Sequence, residues 1–236
     1  MKNSKVAIYR SAERGYAHHG WLETYHSFSF SSYYDPERVN FGALRVLNDD
    51  TVAAGRGFGM HPHNNMEIIT IVLSGALEHK DSMGNTGVIY PGEVQAMSAG
   101  TGITHSEFNH SQTETVQLLQ LWVIPNRQQV TPRYQHIKPF LPLDTLNKVV
   151  SPQKSEDTIW IYQDTYFYLG EFTKEHKIEY EHKNLHGVYI FVIEGHAEVE
   201  NEALQARDAI SILTKDTEKI LLKVFSKTKI LLIDTI

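Results

Sequence analysis

The sequence predicts an all-β chain of the sandwich or barrel class, because strand-like runs recur regularly, turn residues separate them, and helical periodicity is scarce. Runs rich in β-branched, aromatic and aliphatic residues recur about every ten positions between Gly, Asp, Asn and Pro. They are FGALRVL (41–47), MEIITIVL (66–73), VQAMSA (94–99), VQLLQLWVI (116–124), VYIFVIEG (188–195) and KILLIDTI (229–236). The best helical pattern, residues 143–149, is short and flanked by Pro142 and Pro152. Helix should therefore be a minor component.

Turns and a linker indicate how the runs are arranged. Residues 81–85 (DSMGN) tolerate positive φ and should connect two antiparallel strands. The polar segment PNRQQVTPRY, with two prolines, is typical of a boundary, which we place near residues 125–135. The segment VYIFVIEGHAEVE resembles IITIVLSGALEHK, an apolar strand followed by a glycine turn and an alternating strand. The sequence therefore predicts two similar β-barrel domains, residues 1–130 and 131–236.

Composition limits the functions open to the chain. The 236 residues carry a net charge of −6 without a Lys/Arg block, which disfavours direct nucleic-acid binding. No run approaches the roughly 20 apolar residues that span a bilayer, so we expect a cytoplasmic protein without a membrane partner. Cysteine is absent, so thiolate sites are excluded and any metal must be held by carboxylates and the 13 histidines.

Four residues have the spacing of a metal site. His61 and His63 are separated by one residue, as are His105 and Glu107, and on a strand this spacing puts both side chains on one face. If both strands point into one barrel, three imidazoles and one carboxylate meet at a single point. Such nitrogen and oxygen ligands suit a first-row divalent metal.

The residues around these pairs resemble the two cupin motifs. Gly55-x5-His61-x-His63-x3-Glu67 is similar to the first motif, and Gly102-x2-His105-x3-Asn109 is similar to the second. More narrowly, RGYAHHGWLETYHSFSF, YYDPERVNFGALRVLNDD, GFGMHPHNNMEIITIVLSG, HKDSMGN, MSAGTGITHSEFN and TPRY resemble the bacterial pirin family, which includes quercetin 2,3-dioxygenases. The similarity covers most of residues 10–135. The second half resembles the family only in size and strand pattern.

The resemblance implies a bicupin of two double-stranded β-helix (jelly-roll) barrels. The metal would lie in the N-terminal barrel, bound by His61, His63, His105 and Glu107, and residues 131–236 would form a barrel without a metal motif. The implied metal is Fe(II), with Ni, Cu, Mn, Co or Zn as alternatives. A generic cupin would use Glu67 instead of Glu107, and this alternative stays open. In the C-terminal half, His176, His182 and His186 are expected to be surface or loop residues, and His196 a turn or strand residue.

Three functions remain open from the sequence. The first, implied by the resemblance, is a metal-dependent dioxygenase that cleaves quercetin-like flavonols with O2, in which Glu107 is the catalytic residue that takes the hydroxyl proton. The second is a pirin-like regulatory module whose metal shapes a protein-binding surface without turnover. The third is a cupin whose metal serves folding alone. A closed barrel exposes no strand edge, so a monomer is expected.

Overall fold

The chain forms two compact units of antiparallel sheet. The computed structural model describes residues 5–213 and 219–236. The N-terminal unit comprises residues 15–139 and 152–163, and the C-terminal unit comprises residues 5–14, 140–151 and the described part of 164–236. Within the described ranges, no helix is long and apolar enough to cross a lipid bilayer.

The N-terminal unit is a jelly roll of two sheets. Its larger sheet has the order β12-β9-β6-β11-β4-β3-β2, and its four-stranded sheet has the order β5-β10-β7-β8. The strands are β2 (Gly15–His18), β3 (Leu22–His26), β4 (Leu44–Val52), β5 (Gly57–His63), β6 (Glu67–Ser74), β7 (Leu77–Asp81), β8 (Thr86–Ile89), β9 (Val94–Ser98), β10 (Ile103–Asn109), β11 (Val116–Val123), β12 (Arg133–Ile137) and the short β14 (Ile159–Trp160).

The C-terminal unit repeats this arrangement. Its larger sheet contains the order β1-β20-β17-β22-β15-β13, and its smaller sheet has the order β16-β21-β18-β19. Its elements are β1 (Lys5–Tyr9), the 3-10 turn Ser11–Glu13, β13 (Leu146–Ser151), β15 (Thr165–Phe172), β16 (His176–Glu181), β17 (Gly187–Glu194), β18 (His196–Val199), β19 (Glu202–Gln205), β20 (Ala209–Leu213), β21 (Lys219–Val224) and β22 (Thr228–Thr235).

The predicted all-β class with two jelly rolls is confirmed. Among the described strands, however, the two sheets of each unit do not join into a closed barrel. Each of the six predicted runs overlaps a strand, and residues 81–85 connect β7 to β8. The helical pattern at residues 143–149 was wrong: Leu146–Ser151 is a strand paired with β15. A weak local preference for helix yields here to the pairing that buries its Val149 and Val150.

The predicted division at residue 130 stays a prediction. The two compact units differ from it in three places. Strand Lys5–Tyr9 pairs with Ala209–Leu213 in the C-terminal unit, while residues 131–139 and 152–163 group with the N-terminal unit.

The same hairpin anchors the repeat in both units. Gly75 (φ 76) turns β6 into β7, and Gly195 (φ 80) turns β17 into β18. A β-carbon would lie 2.8 Å from the carbonyl oxygen of Thr115 at Gly75 and 2.6 Å from that of Lys227 at Gly195. The turn therefore needs glycine twice, for its backbone conformation and for space. Because the register of β6 with β11 matches that of β17 with β22, residues on the paired strands of one unit can be assigned equivalents in the other.

Candidate metal centre

Strands β5 and β10 bring His61, His63 and His105 together and place Glu107 beside His105. His61 lies opposite His105 in this antiparallel pair, and the register shifts between His105 and Glu107, so a bulge adjusts the side chains there. The strands approach closely at Gly57, where a β-carbon would lie 2.2 Å from the carbonyl oxygen of Glu107. Glycine at this position therefore permits the contact that places the first pair beside the second.

Three imidazoles form the centre of the site. The candidate ligand nitrogens of His61, His63 and His105 lie within 4.8 Å of one another. The ring centroid of His61 is 4.4 Å from that of His105, and the ring of His63 is 4.9 Å from each of the other two. His61 donates from Nδ1 to the carbonyl of Gly59 at 2.7 Å, which leaves its Nε2 lone pair available.

Several buried ring nitrogens in this cluster lack a hydrogen-bond partner in the described part of the chain. These are Nε2 of His63 and both Nδ1 and Nε2 of His105. Burial, with the neighbouring imidazoles, lowers the pKa of His63 to about 4 and that of His105 to about 3. Both rings are therefore neutral at neutral pH. A neutral ring with an unpaired nitrogen is the form of histidine that binds metal.

Glu107 is held by three donors from the facing sheet. Its Oε1 accepts from the Gln95 amide at 3.1 Å and the Thr70 hydroxyl at 3.3 Å, and its Oε2 accepts from the Gln120 amide at 2.9 Å. Thr70 lies directly opposite both glutamines in the strand register, so the three donors form one row across β9, β6 and β11. This row fixes the carboxylate beside His105, with ligand atoms of the two residues within 4.8 Å.

The residues present fit a divalent transition metal. Three imidazoles and one carboxylate supply nitrogen and oxygen donors of the kind such ions prefer. A buried imidazole nitrogen without a partner costs free energy of folding, and a bound cation would offset that cost.

The site opens into a cavity of about 440 Å³. Its walls combine His61, His63 and Glu107 with aromatic side chains. The ring of Trp21 packs edge-on against that of Phe58 at 5.1 Å. The aromatic residues in the lining are Trp21, Phe30, Phe58 and Trp122. A concave, mostly apolar space with a few polar groups is typical of a small-molecule site.

Comparison with known proteins identifies the family. The family model described as Pirin matches residues 9–123, and the model described as the quercetinase C-terminal cupin domain matches residues 148–235. The quercetin 2,3-dioxygenase of Escherichia coli K12 is 40% identical over 229 residues, which cover 97% of this chain and 98% of that protein. This chain belongs to the pirin family. The predicted resemblance is thereby confirmed.

Solved structures agree with this assignment. The crystal structure of YhhW from E. coli matches this pirin with a TM-score of 0.93 at 39% identity, covering 98% of both chains. A second structure, described as bacterial pirin YhhW in complex with nickel(II), has a TM-score of 0.92 at 38% identity and covers 98% of this chain and 99% of that one. A quercetin 2,3-dioxygenase from Acinetobacter baumannii, 22% identical with a TM-score of 0.77, covers 99% of this chain and 79% of its own and shares the fold.

The alternative carboxylate, Glu67, lies elsewhere in this pirin. On a strand, residues 67 and 70 point to opposite faces, and Thr70 already points at Glu107. Glu67 instead accepts a hydrogen bond from the Ser98 hydroxyl at 2.7 Å. The positive charge of the Arg133 guanidinium also attracts the Glu67 carboxylate. The Glu67 carboxyl therefore lies on the face of the larger sheet that points away from Glu107 and the smaller sheet.

We expect Glu67→Gln to stabilise the metal-free protein at alkaline pH. Burial raises the pKa of Glu67 to about 7 from its ordinary 4.5, although Ser98 and Arg133 act to lower it. The folded state thus holds this proton more tightly than the unfolded chain does. The protonated Glu67 carboxyl therefore contributes fully to the free energy of unfolding below about pH 4.5, and this contribution is lost as pH rises through about 7. The glutamine variant should gain up to about 3 kcal/mol in free energy of unfolding at about pH 8 and little at about pH 5.

Denaturant unfolding at the two pH values measures this difference. Glu114→Gln, at an exposed position of the same unit, is the control and should not alter the pH profile. A glutamine variant whose stability falls with pH as steeply as that of the wild type would contradict the expectation.

Sequence reasoning missed His79, which is buried beside the cluster. Its ring lies 5.4 Å from that of His105 and stacks on Tyr134 at 4.6 Å. Its Nε2 lies 3.3 Å from Oδ2 of Asp81, and its Nδ1 has no partner among the described residues. The spacing of His79 and Asp81 was a usable signal, since residues two apart on a strand share a face.

At the positions equivalent to Glu107 and His105, the C-terminal unit carries aliphatic side chains. By strand register, Leu222 is the equivalent of Glu107, and Ile220 is the equivalent of His105. Both aliphatic side chains belong to one buried core. The remaining equivalents of Thr70, Gln95, Gln120 and His79 are Ile190, Ile210, Leu232 and Val199, all fully buried. Apolar packing therefore fills these positions, whereas Tyr180 lies opposite Ile220 where His61 lies opposite His105.

The histidines of the C-terminal unit differ in part from expectation. His182 and His186 lie in the loop between β16 and β17, as the loop alternative predicted, but both are buried and neither is a surface residue. His186 donates from Nδ1 to Asp234 at 2.6 Å, so a buried carboxylate takes the place of water as its hydrogen-bond acceptor. His176 begins β16 and is partly exposed, and His196 begins β18.

Proposed function

We propose that this pirin is a metal-dependent dioxygenase that cleaves quercetin-like flavonols with O2. The observation that carries the proposal is the aromatic-lined cavity into which His61, His63 and Glu107 project. We propose His61, His63, His105 and Glu107 as the ligands and Fe(II) as the ion, with nickel, which is bound in the E. coli structure, among the alternatives. The relatives named quercetin 2,3-dioxygenase support the substrate class.

The chain's own residues would orient and hold the substrate. A bound metal would act as a Lewis acid towards the flavonol 3-hydroxyl and as a template for O2. Trp21 and Phe58 on one part of the wall, and Phe30 and Trp122 on another, offer flat faces to the rings and exclude water. Glu107, whose oxygens are positioned by amide donors, lies on the cavity wall where it can accept the proton of the 3-hydroxyl.

Oxygen uptake tests the proposal. Protein loaded anaerobically with Fe(II) and then given O2 and quercetin should consume O2 and release carbon monoxide. Metal-free protein with quercetin, and Fe(II) with quercetin but without protein, are the controls for uncatalysed oxidation. If the fully loaded protein takes up no more O2 than these controls, quercetin is not its substrate, and the regulatory alternative gains weight.

A further inference from the structure

A buried carboxylate in the cavity has no role in the proposed chemistry. Asp50 lies on β4, opposite Thr24 on one side and Leu118 on the other, and only 4% of its surface is exposed. It shares the inner face of the sheet with Val52 and Asn48, because residues two apart on a strand point the same way. Its side chain therefore points into the unit, where it lines the cavity.

The hydrogen bonding of Asp50 is incomplete. The Thr24 hydroxyl bonds its carboxyl, but Oδ1 is buried without a partner in the described ranges. Burial raises the pKa of Asp50 to about 7, and the negative charges of Asp49 and Glu107 act in the same direction. A buried acid with an unpaired oxygen destabilises a fold unless something else pairs with it.

The fold itself does not require a polar group here. By strand register, the equivalents of Thr24, Asp50 and Leu118 in the C-terminal unit are Leu146, Gly170 and Ile230. A β-carbon at Gly170 would lie 2.6 Å from the Phe172 ring, so hydrocarbon fills that space. The same backbone is therefore stable with apolar packing, and Asp50 needs an explanation other than the architecture.

The cavity is polar on two facing walls. His61 and His63 project into the cavity from β5 of the smaller sheet, whereas Asp50 projects from β4 of the larger sheet. Beside Asp50, the His26 ring donates from Nδ1 to the Asn48 side chain at 2.8 Å. Aromatic side chains lie among these polar groups in the lining. This arrangement suits a flat aromatic molecule that carries hydroxyl groups at both ends.

We propose that Asp50 is the anchor of a second polar subsite, where its unpaired oxygen accepts a hydrogen bond from a phenolic hydroxyl of the substrate on the wall opposite the histidine cluster. The inference rests on the proposed function, because it specifies how the same cavity recognises a polyhydroxylated flavonol. A site built to bond a hydroxyl discriminates against an analogue that lacks it, because its own polar group is then left unpaired.

Binding of two flavonols to Fe(II)-loaded protein without O2 tests the subsite. The probes are quercetin and the parent flavonol that keeps only the 3-hydroxyl, and quenching of Trp21 and Trp122, which line the cavity, reports binding without turnover. Wild-type protein should prefer quercetin by about tenfold, and Asp50→Leu should bring the ratio of the two Kd values close to one. Asp50→Leu should also melt no lower than the wild type, because it removes an unpaired polar group.

Two further variants make the result decisive. Asp49→Asn changes the adjacent carboxylate, which points to the opposite face of β4, and should keep the wild-type preference. Asp50→Asn keeps the shape of the side chain, and it should lose part of the preference even if the leucine variant fails to fold. An unchanged quercetin preference in the Asp50 variants would overturn the inference. A lost preference in a protein that shows no O2 uptake would retain the subsite and refute the proposed reaction instead.

Discussion

Protein in which His105 is replaced by alanine is expected to bind divalent metal at least about 100-fold more weakly than the wild type, a larger effect than loss of an outer hydrogen-bond partner causes. His105 is 1% exposed, and its ring lies within 4.9 Å of both other imidazoles. Neither of its ring nitrogens has a hydrogen-bond partner in the described chain. The substitution therefore removes a nitrogen that would bind the metal and breaks no existing hydrogen bond. Metal affinity is measured by competition with a chelating indicator, and O2 uptake with quercetin should fall to the level of the metal-free protein.

His110→Ala is the matched control for this experiment. His110 follows β10 directly and is exposed, and it pairs with Glu78 on the surface at 3.3 Å. Its replacement should change neither metal affinity nor O2 uptake, since an exposed pair contributes little. Equal metal affinity of the His105 variant and the wild type would contradict the proposed ligand set and direct attention to His79.

Replacement of Glu107 by glutamine is expected to weaken metal binding and also to destabilise the metal-free fold by about 1–3 kcal/mol. Both oxygens of Glu107 face amide donors, from Gln95 and Gln120. A glutamine side chain offers one oxygen and one amino group, so one donor would face another donor. A flip of the Gln120 amide would lose a hydrogen bond, because its Oε1 accepts from the Trp122 indole at 3.5 Å. Denaturant unfolding of metal-free protein isolates this effect from the loss of the ligand.

Glu78→Gln provides the comparison. Glu78 carries the same side chain on β7, but its partners Lys80 and His110 are exposed, so its replacement should cost less than about 1 kcal/mol. The Glu107 explanation fails if the two glutamine variants unfold at the same denaturant concentration.

Local periodicity made part of the site predictable. His61, His63 and His105 could be grouped because the spacing of two residues on a strand is visible in the sequence. The separation of Glu107 from Glu67 also follows from strand faces once Thr70 is known to point inward. The ligand roles of these residues stay predictions that the metal titrations will test.

The surroundings of the site could not be predicted because they depend on register between distant strands. The donors Thr70, Gln95 and Gln120 lie on three strands, and nothing local indicates that they meet at one carboxylate. The pairing of Lys5–Tyr9 with Ala209–Leu213 spans about the whole chain and has no local pattern either. The same holds for Asp50. That its Oδ1 lacks a hydrogen-bond partner among the described residues is visible only when its cross-strand neighbours Thr24 and Leu118 are known.

The aliphatic side chains at two positions of the C-terminal unit show that this backbone folds without the polar cluster of the N-terminal unit. Both units share the glycine turn and the strand registers, yet Leu222 and Ile220 stand where the other unit has Glu107 and His105. The two copies therefore differ in a small set of inward-facing side chains. For protein engineering, this means that transfer of the polar cluster requires exchange of those side chains together with the bulge between His105 and Glu107. The apolar copy is the natural recipient.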